Sequence, residues 1–450
     1  MTLHEHALAA AALCLPFFSE SPHLGSTAGL YGHAIALLRP ANGQALPRLA
    51  IGAPGFFACE VCTGYVEFTG DKEDRLRVAG GASGDRFGFA LASFRAEAGQ
   101  NAMAVLVGAP QAGIAGGPVG SGYVAAIFSP NEGIAWTIAG HDQGDEYGFA
   151  LCTTQMSDSK PARWAIIGAP QSQSAARGTA AGRGFVEAVD LAKQERTWKR
   201  IGLQLNSRYG YAVASIDDVD ADGTPEVVVG SPTHVTSGIP CGRVEALNGV
   251  SGNQLWELSG VPSIRGLGRA FCLIGDRDRD GLRDIAVCAS TIGLIQPDST
   301  QDAVAIISGR SGKVLDIIRS PLDRARGFGL AMEYVSAAAD TRDSELWIGA
   351  PFSSQPALMM GDAGLIQAFA AEGEPKRIFE LGSPYLKEVS PGSARGPAHF
   401  GSSIAQVGDV DGDGVADLAV SAPDPLSVEC VFILSGKNGA VLRIYSGEDG

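Results

Sequence analysis

The chain runs to 450 residues with a formal net charge of −15 and no basic stripe, which argues against nucleic acid as a partner because little cationic surface is available to release phosphate counterions. No uninterrupted apolar run of about 18 residues occurs, so no transmembrane helix is expected. Gly at 60 positions and an aromatic fraction of only 7% suit many tight turns between closely packed strands and argue against a helical solenoid.

Residues 1–29 begin MTLHEHALAAAALCLPFFSE and form a separate N-terminal segment in this reading. Ala7 to Phe18 have the length and apolarity of a signal-peptide core, but no Lys or Arg precedes them, and the first basic residue is Arg39. Two readings stay open: part of a leader whose true start lies upstream, or an ordinary apolar strand or helix packed against the rest.

From residue 30 onward the chain repeats itself. An aromatic or apolar residue followed by Gly recurs at Tyr31-Gly32, Phe87-Gly88, Tyr147-Gly148, Tyr209-Gly210, Leu267-Gly268, Phe328-Gly329 and Phe400-Gly401, at intervals of roughly 60 residues and a last one of about 72. Each pair is answered by a closing triplet: Gly52-Ala53-Pro54, Gly108-Ala109-Pro110, Gly168-Ala169-Pro170, Gly230-Ser231-Pro232, the degenerate Cys288-Ala289-Ser290, Gly349-Ala350-Pro351 and Ser421-Ala422-Pro423. The fourth repeat reads as four short strands, YAVASI, EVVVGS, GRVEALN and NQLWELSG, each bounded by Gly, Pro, Asp or Ser. Glycines at matching offsets in LNGVSGNQLW, ISGRSGKVLD and LSGKNGAVLR mark the last hairpin of repeats four, five and seven. Four strands per repeat, seven times over, predict an all-β fold: residues 30–450 as one seven-bladed β-propeller of four-stranded antiparallel blades.

Three repeats carry an acidic loop between their first two strands. DVDADGTPE supplies Asp218, Asp220, Asp222 and Glu226, DRDRDGLRD supplies Asp276, Asp278, Asp280 and Asp284, and DVDGDGVAD supplies Asp409, Asp411, Asp413 and Asp417. The acids stand at positions one, three, five and nine, with Gly223, Gly281 and Gly414 at position six. Unneutralised, such a set repels itself; a hard divalent cation that takes six to eight oxygens at about 2.3–2.6 Å reverses the sign. The spacing therefore predicts Ca²⁺, with the backbone carbonyls of Thr224, Leu282 and Val415 at position seven completing each set. A solvated acidic turn is the plainer alternative, and recurrence in one structural context favours the metal. Glu226, following Pro225, makes the fourth repeat the least regular of the three. Repeats one, two, three and six lack the ligand set.

Cys59 and Cys62 form a lone CxxC, read as a local disulfide or two thiols rather than a redox or zinc motif. Cys272 and Cys288, equidistant from Asp280, are expected to face each other across the fifth repeat's hairpin, bonded or as paired thiols. Two long loops are further candidates: Gln171 to Gly184, basic in an acidic chain, and Gly382 to Gly401, which holds Tyr385, Lys387, Arg395 and His399.

These paired motifs around DxDxDGxxD resemble the FG-GAP repeats of the integrin α-subunit headpiece and of many bacterial surface proteins, over nearly the whole of residues 30–450. The resemblance implies that strand one of each blade lies nearest the channel, that the calcium loops share one face, and that ligands meet the other. Calcium in the later repeats only also resembles the integrin arrangement. It further implies a ring near the channel from the residue after each pair: His33, Phe89, Phe149, Tyr211, Arg269, Leu330 and Ser402. In integrins an aromatic cup in this region receives a basic side chain; packing between blades is the favoured reading here, and Arg269 would repel such a cation.

No GxSxG or HExxH motif occurs, and the clustered carboxylates are committed to the acidic loops. The expected function is therefore a non-catalytic adhesion or recognition module for a protein or glycan, placed outside the cell, on its surface or in a periplasm. The alternative is a polysaccharide-active enzyme or lectin on the same fold, with Tyr385, Arg395 and His399 the first residues to suspect.

Overall fold

The computed structural model describes residues 30–38, 48–55, 63–69, 75–81, 84–96, 103–110, 120–129, 131–154, 161–170, 182–261, 264–292, 302–320, 325–336, 344–354, 363–371, 377–382, 384, 399–423 and 429–447. Within them the chain builds seven four-stranded antiparallel sheets, each from one contiguous stretch and each with its strands bonded in chain order. These are the blades of a β-propeller, and no helix among the described residues is long and apolar enough to cross a membrane. Blade 4 shows the agreement with the sequence: its strands are Val213–Ser215, Val227–Ser231, Arg243–Leu247 and Gln254–Ser259. It adds a two-stranded hairpin, Val235–Thr236 with Ile239–Pro240, between the second and third strands.

The inner strands are buried on both faces because every blade is sandwiched between two neighbours. Trp164–Ala169 in blade 3 and Asp417–Ala422 in blade 7 are buried along their whole length, whereas the outermost strand Glu195–Ile201 is exposed or half-buried throughout. This is why the inner strands read as continuous apolar runs rather than as alternating patterns.

The repeated motifs have one structural job, the seam between blades. A Cβ placed on the triplet glycine of one blade would lie about 2 Å from the carbonyl oxygen of the next blade's pair glycine: Gly52 on Gly88, Gly108 on Gly148, Gly168 on Gly210, Gly230 on Gly268 and Gly349 on Gly401. The degenerate triplets keep the same contact through a small side chain, Cys288 against Gly329 and Ser421 against Gly32. The last of these closes the ring. Ile35 and Ile51 of blade 1 share a buried cluster with Ala419 and Val431 of blade 7, and Glu429 accepts hydrogen bonds from Leu30 N (2.7 Å) and Tyr31 N (2.8 Å).

One expectation is corrected. Cys272 stands opposite Ala286, not Cys288, because the hairpin is centred on Arg279 and the first strand bulges between Leu267 and Phe271. No disulfide joins them, and Cys152 and Cys241 are likewise thiols. Cys14, Cys59 and Cys62 lie outside the described residues.

Candidate metal-binding loops and the channel belt

Antiparallel strands in the order one to four place the first and third connections of a blade at one end and the second connection at the other. The acidic loops therefore share a face with the last hairpins of their own blades. In all three loops the position-five amide donates to the position-one and position-three carboxylates, as Asp222 N does to Asp218 Oδ1 (3.0 Å) and Asp220 Oδ1 (3.2 Å). The position-six amide donates to the other position-one oxygen, at 2.8 Å from Gly223 to Asp218, 2.8 Å from Gly281 to Asp276 and 2.9 Å from Gly414 to Asp409. Position seven donates to position five: Thr224 to Asp222, Leu282 to Asp280 and Val415 to Asp413. This winding needs left-handed backbone at two points. Position six is always Gly, with φ of 85–90°, while position four takes Ala221, Arg279 and Gly412 at 61°, 62° and 77°. Nothing in the spacing marked position four as constrained.

The ninth position staples each loop to the hairpin beside it. Glu226, Asp284 and Asp417 are fully buried, and each accepts the amide of the hairpin glycine: Gly249 at 2.7 Å, Gly309 at 3.2 Å and Gly436 at 3.0 Å. Those glycines are required because a Cβ on any of them would meet Pro225, Arg283 or Ala416 carbonyl oxygen at about 2 Å. Asp284 and Asp417 spend their second oxygen on Arg277 N (2.7 Å) and Val410 N (2.6 Å). Glu226 is one methylene longer, and its Oε1 is buried and accepts no hydrogen bond. Burial, followed by the charges of Asp220 and Asp222, pushes its carboxyl up to about 8.

The predicted ligands are brought together in part. Asp218, Asp220, Asp222 and Glu226 each offer an oxygen within 4.8 Å of the others; in blade 5 the converging set is Asp276, Asp278 and Asp284, and in blade 7 it is Asp409, Asp411 and Asp417. Asp280 and Asp413 are not in their sets. The donors are hard oxygens in a concentrated negative field, and in blade 4 one of them is buried with no proton donor opposite, so the residues present fit a divalent cation.

The channel belt is a packed structure. His33, Phe89, Phe149 and Tyr211 are buried and follow one another with ring centroids 4.6, 4.9 and 5.1 Å apart. Arg269, Leu330 and Ser402 are buried at the corresponding positions of blades 5 to 7. Arg269 donates to Ser290 O at 2.9 Å and approaches the Tyr211 hydroxyl at 3.3 Å. The guanidinium of Arg86 lies 4.3 Å from the Phe89 centroid, and that of Arg208 lies 4.8 Å from Tyr211 and 5.6 Å from Phe149. The chain's own arginines thus cover ring faces that a partner's cation would need. His399 is buried at the left-handed position before Phe400, edge-on to Phe352 at 5.2 Å, and burial lowers its pKa to about 4. Tyr385 and Arg395 lie outside the described residues.

A sequence profile of the FG-GAP repeat matches residues 400–441, the seventh repeat. Among curated proteins the chain is similar to integrin alpha-5 of Xenopus laevis, 27% identical over 258 residues, covering 55% of this chain and 23% of that one. It is also similar to integrin alpha-IIb of Mus musculus, 30% identical over 171 residues, covering 35% and 16%. The matched stretches thus span less than a quarter of these relatives' own length. Among solved structures, Saccharomyces cerevisiae Sqt1 superposes with a TM-score of 0.51 over 97% of this chain and 88% of that one, at 12% identity, a likeness of fold alone. Seven blades, the pair-and-triplet seams and these matches define an integrin-like FG-GAP propeller.

Proposed function

We propose that this protein is a calcium-stabilised, non-catalytic recognition module that binds a protein partner on the face opposite its acidic loops. The observation that carries the reading is a group of exposed aliphatic side chains on that face. Ile201 ends the last strand of blade 3, Leu203 and Leu205 lie on the connection from it to blade 4, and Val235 and Ile239 lie on the extra hairpin of blade 4, all between 41% and 62% exposed. The two segments are tied together by the Gln204 amide, whose Nε2 donates to Val235 O (2.8 Å) and whose Oε1 accepts from Val235 N (3.0 Å). A held cluster of bare aliphatic groups suits a protein surface better than a sugar, which asks for aromatic platforms and hydroxyl partners. Calcium at the far face would order the loops that brace blades 4, 5 and 7, and calcium-rich surroundings outside the cell or in a periplasm would keep weak sites filled.

The test has two parts. Thermal melts with excess Ca²⁺ and with chelator are expected to separate, and superimposable curves would overturn the calcium part. Binding to arrays of immobilised extracellular proteins and glycans is expected to select a protein and to be lost in Leu203→Asp/Leu205→Asp with the melting temperature retained. Binding unchanged in that variant, or selection of a glycan, would overturn the docking part.

A further inference from the structure

The three acidic loops face hairpins that differ at one informative position. The turns align as Asn248-Gly249-Val250 in blade 4, Ser308-Gly309-Arg310 in blade 5 and Ser435-Gly436-Lys437 in blade 7. Arg310 Nε lies 3.2 Å from Asp280 Oδ2, and its Nη2 donates to the Asp280 carbonyl at 3.0 Å. Lys437 Nζ lies 3.9 Å from Asp413 Oδ2. Blade 4 has the uncharged Val250 at this place, and the neutral Asn248 Nδ2 donates to Asp220 Oδ2 and Asp222 Oδ2, both at 2.8 Å. Asp222 stays within its carboxylate set; Asp280 and Asp413, the two that meet a cation of their own chain, stand outside theirs.

We propose that the residue after the turn glycine sets the cation affinity of each loop, so that blade 4 is the tight site and Arg310 and Lys437 keep blades 5 and 7 as weak ones. The inference rests on the calcium reading of these loops. Affinity is a difference between two states, and the hairpin cation acts on both. In the metal-free loop it relieves repulsion among the carboxylates. When the ion arrives it withholds the position-five oxygen and repels the incoming charge. Blade 4 has neither effect: Val250 carries no charge, and Glu226 Oε1, buried and accepting no hydrogen bond, is left for an entering cation. The other arginines beside the blade-5 loop are engaged elsewhere, Arg277 with Asp316 (3.2 Å) and Arg283 with Asp217, and Arg279 is exposed at position four. A single charge several ångströms from a divalent ion in a water-like medium changes affinity by about tenfold.

The experiment is Ca²⁺ calorimetry at fixed ionic strength on the full chain, with far-ultraviolet dichroism confirming the fold of each variant. Wild type is expected to show one tight site and two that are weaker by about tenfold or more, with Glu226→Gln weakening the tight one. Val250→Arg should weaken that site about tenfold, while Arg310→Val and Lys437→Val should each tighten one weak site by a similar factor. Three equal sites, or exchanges that move no constant by more than about twofold, would overturn the inference while leaving calcium binding intact. Absence of any Ca²⁺ heat in wild type would instead overturn the calcium reading itself, and the inference with it.

Discussion

The Tyr31 hydroxyl donates to Glu67 Oε1 at 2.7 Å, joining the opening pair of blade 1 to that blade's third strand. The relationship repeats with the sequence. Tyr147 donates to Glu187 at 2.7 Å in blade 3, and the same two positions hold Tyr209 and Glu245 in blade 4. Where the pair begins with Phe or Leu the strand residue is never an acid: Phe87 with Ala125, Leu267 with Ala305, Phe328 with Gln367 and Phe400 with Phe432. Burial first, then the Glu67 charge, raises the Tyr31 phenol far above its ordinary pKa, so it stays a donor. Arg77 Nε donates to the second Glu67 carboxylate oxygen at 2.8 Å.

Removing both members of that pair should therefore cost less than the sum of removing each alone. Tyr31→Phe is expected to destabilise by about 1–2 kcal/mol and Glu67→Ala by about 2–3 kcal/mol, with the double variant less damaged than the sum by about 1 kcal/mol or more. Urea unfolding of the four proteins measures the coupling, and strict additivity would refute it.

The seam glycines give the sharpest steric expectation. Gly108→Ala puts a methyl group about 2 Å from the Gly148 carbonyl oxygen, and a backbone atom has no rotamer to escape by. A loss of at least about 3 kcal/mol is expected. Gly81→Ala, with open space where its Cβ would go, should be close to neutral in the same melt.

Acid should weaken the propeller through its buried imidazoles. Burial, helped by the Arg86 charge, lowers the His33 pKa to about 3, whereas the unfolded chain binds a proton near pH 6.5. Between those values the unfolded state holds more protons, so stability falls as pH drops from about 6.5 toward 3. His33→Phe, the residue that blades 2 and 3 already use at this position, should remove up to about 2 kcal/mol of the loss between pH 6.5 and pH 5. Unfolding midpoints at the two pH values decide it.

Deleting one ligand should remove one site only. Asp411→Ala is expected to reduce the number of Ca²⁺ ions bound from three to two and to diminish the calcium-dependent rise in melting temperature without abolishing it. An unchanged stoichiometry in calorimetry would show that the blade-7 loop is not a site.

The architecture was legible because seven pairs and seven triplets are local signals at a fixed period. The acidic loops were legible for the same reason, since their carboxylates lie within nine residues of one another. What escaped the sequence depends on partners that the fold brings from elsewhere. Asp280 is drawn to Arg310 and Asp413 to Lys437 across a hairpin, so equal spacing did not mean equal placement. Glu226 looked like the irregular ligand, yet its extra methylene leaves its outer oxygen free of hydrogen-bond donors in the largest carboxylate set. Cys272 and Cys288 failed to meet because a bulge and a hairpin centred one residue earlier displaced the register.

Among the described residues no sheet in the ring borrows a strand from another: blade 1 and blade 7 meet at Ser421 against Gly32, at the Glu429 carboxylate, at Arg75 on the Ser446 carbonyl and across their packed side chains. In inheritance this makes the blade a whole currency unit. A gene opened between any two blades and rejoined elsewhere would still encode seven intact sheets, and one blade can diverge, as the fourth has with its added hairpin, without rewriting its neighbours.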